Sequence, residues 1–152
     1  KGCRDQKHRK PSTFQIIPST FFQQELIVNE INVAVVFGNI DAIHSYREEL
    51  ASVELVGVDA TYKTVPQVSG DLRSFPTFQV LYKDAFPMVY ALLGSETQET
   101  YSTLFKVIRN ILPLFYNGIR FVTNYERALM NVIREVIPNS QLVCWFHYTK
   151  KS

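Results

Sequence analysis

The sequence predicts an α/β domain built on a mixed five-stranded sheet with helices on its faces. Three observations predict it. From residue 53 three apolar or alternating runs follow one another, separated by Pro, Gly, Ser and Asp, the pattern of adjacent strands joined by short connections and paired antiparallel. Beyond Gly94 the apolar period lengthens to that of a helix, twice over, and each helical stretch leads into a short strand-like run. A helix between two strands serves as a crossover to a parallel neighbour, which makes the last two strands parallel additions to the first three.

The opening KGCRDQKHRKP carries five Lys or Arg against one Asp and shows no apolar periodicity, so residues 1–32 read as a basic tail and linker and residues 33–152 as the folded domain. VAVVF (33–37) is a β-branched run, and NIDAIHSYREEL then sets Ile40, Ile43, Tyr46 and Leu50 at helical spacing behind Asn39 as cap. VELVGVDATYKTV, TFQVLYKD and FPMVYALLG are the three consecutive strands, with PQVSGDLRSFP as a loop. Ser95 and Gln98 have the spacing of a capping box, and Tyr101, Leu104, Phe105, Ile108, Ile111 and Leu112 form an apolar stripe that Pro113 ends. GIRFVT (118–123) is strand-like. Thr123 and Glu126 repeat the capping-box spacing ahead of Leu129, Val132, Ile133, Val136 and Ile137, and Pro138 stops that helix. QLVCWF (141–146) is apolar nearly throughout, as expected of a strand buried on both faces.

Composition narrows the class. At 152 residues with 46% hydrophobic content, the chain buries one ordinary core, and one domain is the expectation. Sixteen basic residues against fourteen acidic ones give a net charge of +2, which neither demands nor excludes a polyanionic partner. The two cysteines, Cys3 and Cys144, stand at opposite ends, which is neither a disulfide framework nor a four-ligand zinc site and fits a reducing, intracellular setting. No stretch approaches about 18 uninterrupted apolar residues and no signal-like segment opens the chain, so a soluble protein without membrane contact is expected. A first residue other than Met and an abrupt HYTKKS ending read as part of something longer.

The topology singles out one place. If the first of the five strands lies centrally with the fourth beside it in parallel, Asp59 and the region 123–124 meet at the carboxyl ends of neighbouring strands, where open α/β sheets place their sites. Divalent-metal phosphoryl transfer needs carboxylates from separate elements at such a place. Asp59 qualifies, although taken alone an Asp at a strand end is more commonly a turn residue bonded to its own downstream backbone. Its neighbour reads FVTNYERAL, with Asn124 where a second acid would stand, and Asn ahead of a helix is equally well a cap.

VDATYKTVP, FPMVYALLGSETQETYSTLF, FVTNYERALMNVIREVIP and CWFH, in this order, resemble the Mutator-like element (MULE) transposase domain from about residue 33 to the end. The resemblance implies an RNase H-like fold, an Asp-Asp-Glu catalytic triad, Mg²⁺ or Mn²⁺ as cofactor, transposon ends and target DNA as partners, self-association and a nuclear location. The family's Asp-Gly-Thr-Phe type motif falls on Asp59, Ala60, Thr61 and Tyr62, and its Asp-Phe-Glu type motif on Asn124, Tyr125 and Glu126. A third acid would lie on a later helix, beyond residue 152. On this reading Asp59 is a retained catalytic and metal-binding acid and Asn124 a degenerate second one. Two unit charges 4 Å apart interact by roughly 4 kcal/mol at an effective dielectric near 20, so replacing a ligating carboxylate by a neutral amide removes several kcal/mol of metal affinity. The expected protein is a MULE-type transposase fragment with impaired catalysis; the alternative is a domesticated nuclear module that binds DNA or protein without catalysis.

The remaining candidates carry less. Glu126, as third residue of a capping box, is expected to fold back on the backbone rather than replace the missing acid. Cys144 and His147 make a C-x-x-H step; spacing alone favours a buried thiol and a satisfied histidine, two ligands leave zinc unsupported, and the resemblance adds that the family carries such a motif between its second and third acids. Trp145 between them reads as core. Cys3 and His8 fall in the basic tail, which composition marks as mobile rather than as part of a zinc module. Lys63 and Lys83, near the expected sheet end, are candidates for phosphate contact, though lysines at strand ends also serve solubility.

Overall fold

The computed structural model describes residues 21–61, 75–81, 84–124 and 126–144. Two strands open the described chain: β1 (Phe21–Val28) and β2 (Ile31–Asn39) pair antiparallel around a two-residue turn. Asn29 and Glu30 both take positive φ, 49° and 66°, as the type I′ hairpin turn requires. Short helices α1 (Ile40–Ser45) and α2 (Arg47–Ala51) follow. Asn39 caps the first as expected, its Oδ1 accepting from the Ala42 N–H at 3.0 Å. The single helix read from the sequence is broken at Tyr46, whose side chain is 57% exposed rather than packed on the core.

The three successive strands are β3 (Leu55–Thr61), β4 (Phe75–Leu81) and β5 (Ala85–Leu93), each antiparallel to the next. Helix α3 (Gln98–Ile111) leads to β6 (Arg120–Thr123), and α4 (Arg127–Val136) to β7 (Gln141–Cys144). Strand β6 runs parallel to β3, and β7 parallel to β6. The order across the sheet is β1-β2-β5-β4-β3-β6-β7. The sheet is thus mixed and the fold α/β, but among the described residues it has seven strands where five were expected. The two further strands are β2, whose core is the VAVVF run, and β1, which lies in the stretch 1–32 read as tail and linker. β1 escaped detection because FFQQELIV alternates only weakly, and its Ile27 is 62% exposed at the sheet edge. The apolar β7 is the opposite edge rather than a doubly buried strand: Gln141 is exposed and Leu142 and Val143 are half-buried.

Side-chain alternation puts Val56 and Val58, Phe78 and Val80, Val89 and Ala91, and Phe121 on one face of the sheet. There they join Ile43, Leu50, Tyr101, Phe105, Leu129 and Ile133, contributed by all four helices, in one buried core. Phe105 of α3 is its centre, meeting Phe78 edge-on at 5.4 Å between ring centroids and Phe121 at 6.2 Å. Phe37, Leu55, Leu92 and Val122 are also buried but lie outside this core, on the sheet's other face.

The helix starts differ from the expected capping boxes. Thr97, not Ser95, caps α3, its Oγ1 accepting from the Thr100 N–H at 3.2 Å, while Ser95 shares a hydroxyl hydrogen bond of 2.7 Å with the buried Thr100. At α4 no side chain among the described residues caps the helix: Glu126 occupies the cap position without a side-chain cap bond, and Thr123 Oγ1 donates to the Asn124 carbonyl at 2.8 Å.

Candidate functional site

β3 and β6 run parallel and in register, with Val56 opposite Phe121 and Val58 opposite Thr123. One residue further on stand Asp59 and Asn124. The topology therefore brings these two positions to the carboxyl ends of adjacent strands, Asp59 within β3 and Asn124 one residue past the end of β6. β5 is antiparallel to β4, which is antiparallel to β3, so β5 also ends at this rim. The link from β5 to α3 accordingly delivers Glu96 to the same side, and the link from β6 to α4 delivers Glu126.

Around Asn124 the polar groups are unevenly satisfied. Asp59 is exposed. Asn124 is half-buried, and its Oδ1 is buried with no hydrogen-bond partner among the described residues, so its amide does not cap α4. Glu96 Oε1 is in the same condition, a buried acceptor with no partner among the described residues. Buried acceptors of this kind cost free energy unless a donor reaches them, and both stand on the connections that leave β5 and β6 at this rim. The Glu126 carboxylate accepts from the Tyr101 hydroxyl at 2.8 Å instead of folding back on the backbone. Partial burial pushes the acid of Glu126 up from its ordinary range, the Tyr101 hydrogen bond works against this, and the charge of Glu96 adds to it.

Glu96 and the anchoring role of Tyr101 were not legible in the sequence, where Tyr101 read only as part of the apolar stripe. The available signal for Glu96 was its place directly after a strand that ends at the same rim as Asp59.

Cys144 is the last residue of β7 and is registered opposite Thr123, one position short of Asn124 along the neighbouring strand. His147, Trp145, Lys63, Lys83, Cys3 and His8 lie outside the described residues. Among the described residues no group of three or more His, Cys, Asp and Glu side chains converges to hold a metal ion. At the rim itself Asp59 and Glu96 offer carboxylates, Asn124 a neutral amide oxygen, and the Glu126 carboxylate is engaged by Tyr101. No helix among the described residues is long and apolar enough to cross a membrane.

The comparisons with known proteins bear on this rim. The family model of the MULE transposase domain matches residues 55–151, more than half of the chain, from the first residue of β3 through both rim positions. No curated protein matches the chain.

Proposed function

The chain belongs to the MULE transposase domain family, and from that premise we propose that it is a transposase domain that binds DNA but is impaired in catalysis at Asn124. The observation that supports the proposal is the parallel pairing of β3 with β6, whose carboxyl ends lead to Asp59 and to the neutral Asn124. The order β5-β4-β3-β6-β7, three antiparallel strands and then two parallel ones, supports an RNase H-like core. In an intact relative, a divalent ion held between two carboxylates would supply the activated water and stabilise the leaving oxygen of DNA cleavage and strand transfer. Here Asp59 offers one exposed carboxylate, Asn124 a neutral oxygen, and Glu126 is held by Tyr101 rather than free to replace the missing acid.

Transposon ends and target DNA are the proposed partners, with a nuclear location and self-association following from that substrate. Cys144 and His147 are proposed to support the active-site strand, and Lys63 and Lys83 to contact phosphate. A second reading, a domesticated module that binds DNA or protein without catalysis, draws on one contrast: the apolar core is complete while the rim has lost an acid.

Metal binding tests the proposal. Titrating Mn²⁺ into the chain by calorimetry should give weak or undetectable binding, and Asn124→Asp should raise the affinity at least tenfold, about 1.4 kcal/mol. Tight Mn²⁺ binding by the unaltered chain that Asn124→Asp does not improve would overturn it.

A further inference from the structure

Residue 124 lies between two fixed points. On one side Thr123, itself buried, ends β6 between β3 and β7, opposite Val58 and Cys144. Its Oγ1 donates to the Asn124 carbonyl at 2.8 Å. On the other side Glu126 stands at the start of α4, and its carboxylate accepts from the Tyr101 hydroxyl at 2.8 Å. The three peptide units from residue 123 to residue 126 span at most about 11 Å. Over so short a connection a shift of Glu126 passes to residue 124 instead of being taken up by slack.

A helix start is ordinarily fixed by a side chain that accepts from an N–H of the first turn. At α4 Glu126 holds the cap position without such a bond, and its carboxylate reaches the phenol of Tyr101 instead. Tyr101 is a firm anchor. Its ring is wholly buried in the core that also contains Leu129 and Ile133 of α4, and α3 and α4 pack directly on each other. Close packing holds the ring, and with it the hydroxyl, in one place. On the reading of residue 124 as the second metal position, we propose that Tyr101 is a positioning residue, which through Glu126 sets where residue 124 stands at the end of β6. Groups that share a ligand must be held to within about 0.5 Å. A misplacement of about 1 Å by a substitution outside the site costs on the order of 10²-fold. A bond that served stability alone would leave residue 124 unmoved for as long as the chain stays folded.

Tyr101→Phe keeps the ring and removes the hydroxyl. Tyr116→Phe is its control, because the Tyr116 hydroxyl donates to the Leu112 carbonyl at 2.9 Å, beyond the far end of α3. In proton–nitrogen correlation spectra of the nitrogen-15-labelled chain without metal, Tyr101→Phe should shift or broaden the backbone and side-chain amide signals of Asn124, and Tyr116→Phe should leave both in place. In the Asn124→Asp background, calorimetry on chains that circular dichroism shows to be folded should find Mn²⁺ affinity lowered at least tenfold by Tyr101→Phe, and equally by Glu126→Ala. Glu126→Gln keeps an acceptor for the phenol and should recover most of what Glu126→Ala loses. Spectral changes confined to α3 and Glu126, with Asn124 unmoved, would overturn the proposal. So would a Mn²⁺ affinity of the Asn124→Asp chain that Tyr101→Phe leaves unchanged or raises. If Asn124→Asp binds Mn²⁺ no better than the unaltered chain, the metal reading of residue 124 falls, and the metal-free spectra alone decide whether Tyr101 positions it.

Discussion

The hydroxyl of Tyr101, a residue wholly buried in α3, donates to the carboxylate of Glu126 at 2.8 Å and so ties the helix to the turn that carries Asn124. Tyr101→Phe keeps the ring in the core and removes only this bond. A hydrogen bond to a charged acceptor is worth about 1.5–3 kcal/mol, and that is the expected loss of stability near neutral pH, read as a lower urea midpoint at unchanged slope.

Glu126 also gives the rim a pH dependence. Burial raises its acid, the Tyr101 bond lowers it, and Glu96 raises it, with the net direction upward from 4.5. A raised value means that the folded chain holds the proton more tightly than the unfolded chain. The stability this contributes is therefore complete below pH 4.5 and is lost as the pH climbs through the folded-state value. Glu126→Gln removes the titration. The variant should match the unaltered chain at about pH 4 and exceed it at about pH 7, measured by urea unfolding at both. A variant weaker at both would show that the carboxylate acts through its hydrogen bond alone.

Asn124→Asp has a cost that precedes any metal. The new carboxylate would stand beside Asp59 at the ends of two strands in register. Asp59 is exposed but Asn124 Oδ1 is buried, so the repulsion exceeds the water-like limit of about 1 kcal/mol for two unit charges about 4 Å apart, and burial of the new carboxylate adds to it. The metal-free variant should melt below the unaltered chain, and adding Mg²⁺ should restore or reverse the difference through preferential binding to the folded form. A variant as stable as its parent without metal would mean that the two side chains diverge.

The rim was legible in the sequence because its position follows from topology: three strands, helix, strand, helix, strand fixes a parallel neighbour for the first strand, and that alone brings residues 59 and 124 together. What escaped reading depended on tertiary contact. Spacing cannot tell whether Glu126 bonds its own backbone or a phenol 25 positions earlier in the chain. Nor could it show that Glu96 arrives at the same rim, which depends on the direction of β5. The strand β1 was hidden for another reason: at a sheet edge only part of one face is buried, and the alternation that reveals a strand fades with the burial that imposes it.

The start of α3 separates spacing from geometry. Ser95 and Gln98 have the expected capping spacing, yet Thr97 makes the cap, and Ser95 bonds the Thr100 hydroxyl instead. Thr97→Ala should therefore cost about 1 kcal/mol, within the 0.5–2 kcal/mol range for lost caps. Differential scanning calorimetry would register it as a lower Tm. If Thr97→Ala were neutral, the helix would be started by the Ser95–Thr100 pair.

The core itself is the last object of prediction. Phe105 is fully buried and meets both Phe78 and Phe121 edge-on, joining α3 to the two strands that flank β3. Its truncation would remove apolar contact and two aromatic pairs at once, and leave a cavity that the sheet, held by its hydrogen bonds, cannot close. Phe105→Ala should cost about 3–5 kcal/mol, a large share of the 5–15 kcal/mol total of an ordinary domain. Phe115, by contrast, is 65% exposed after the end of α3, and Phe115→Ala should stay within about 0.5 kcal/mol. Urea unfolding of the pair at one pH distinguishes the two: similar losses at both positions would mean that the helices do not share a single core with the sheet.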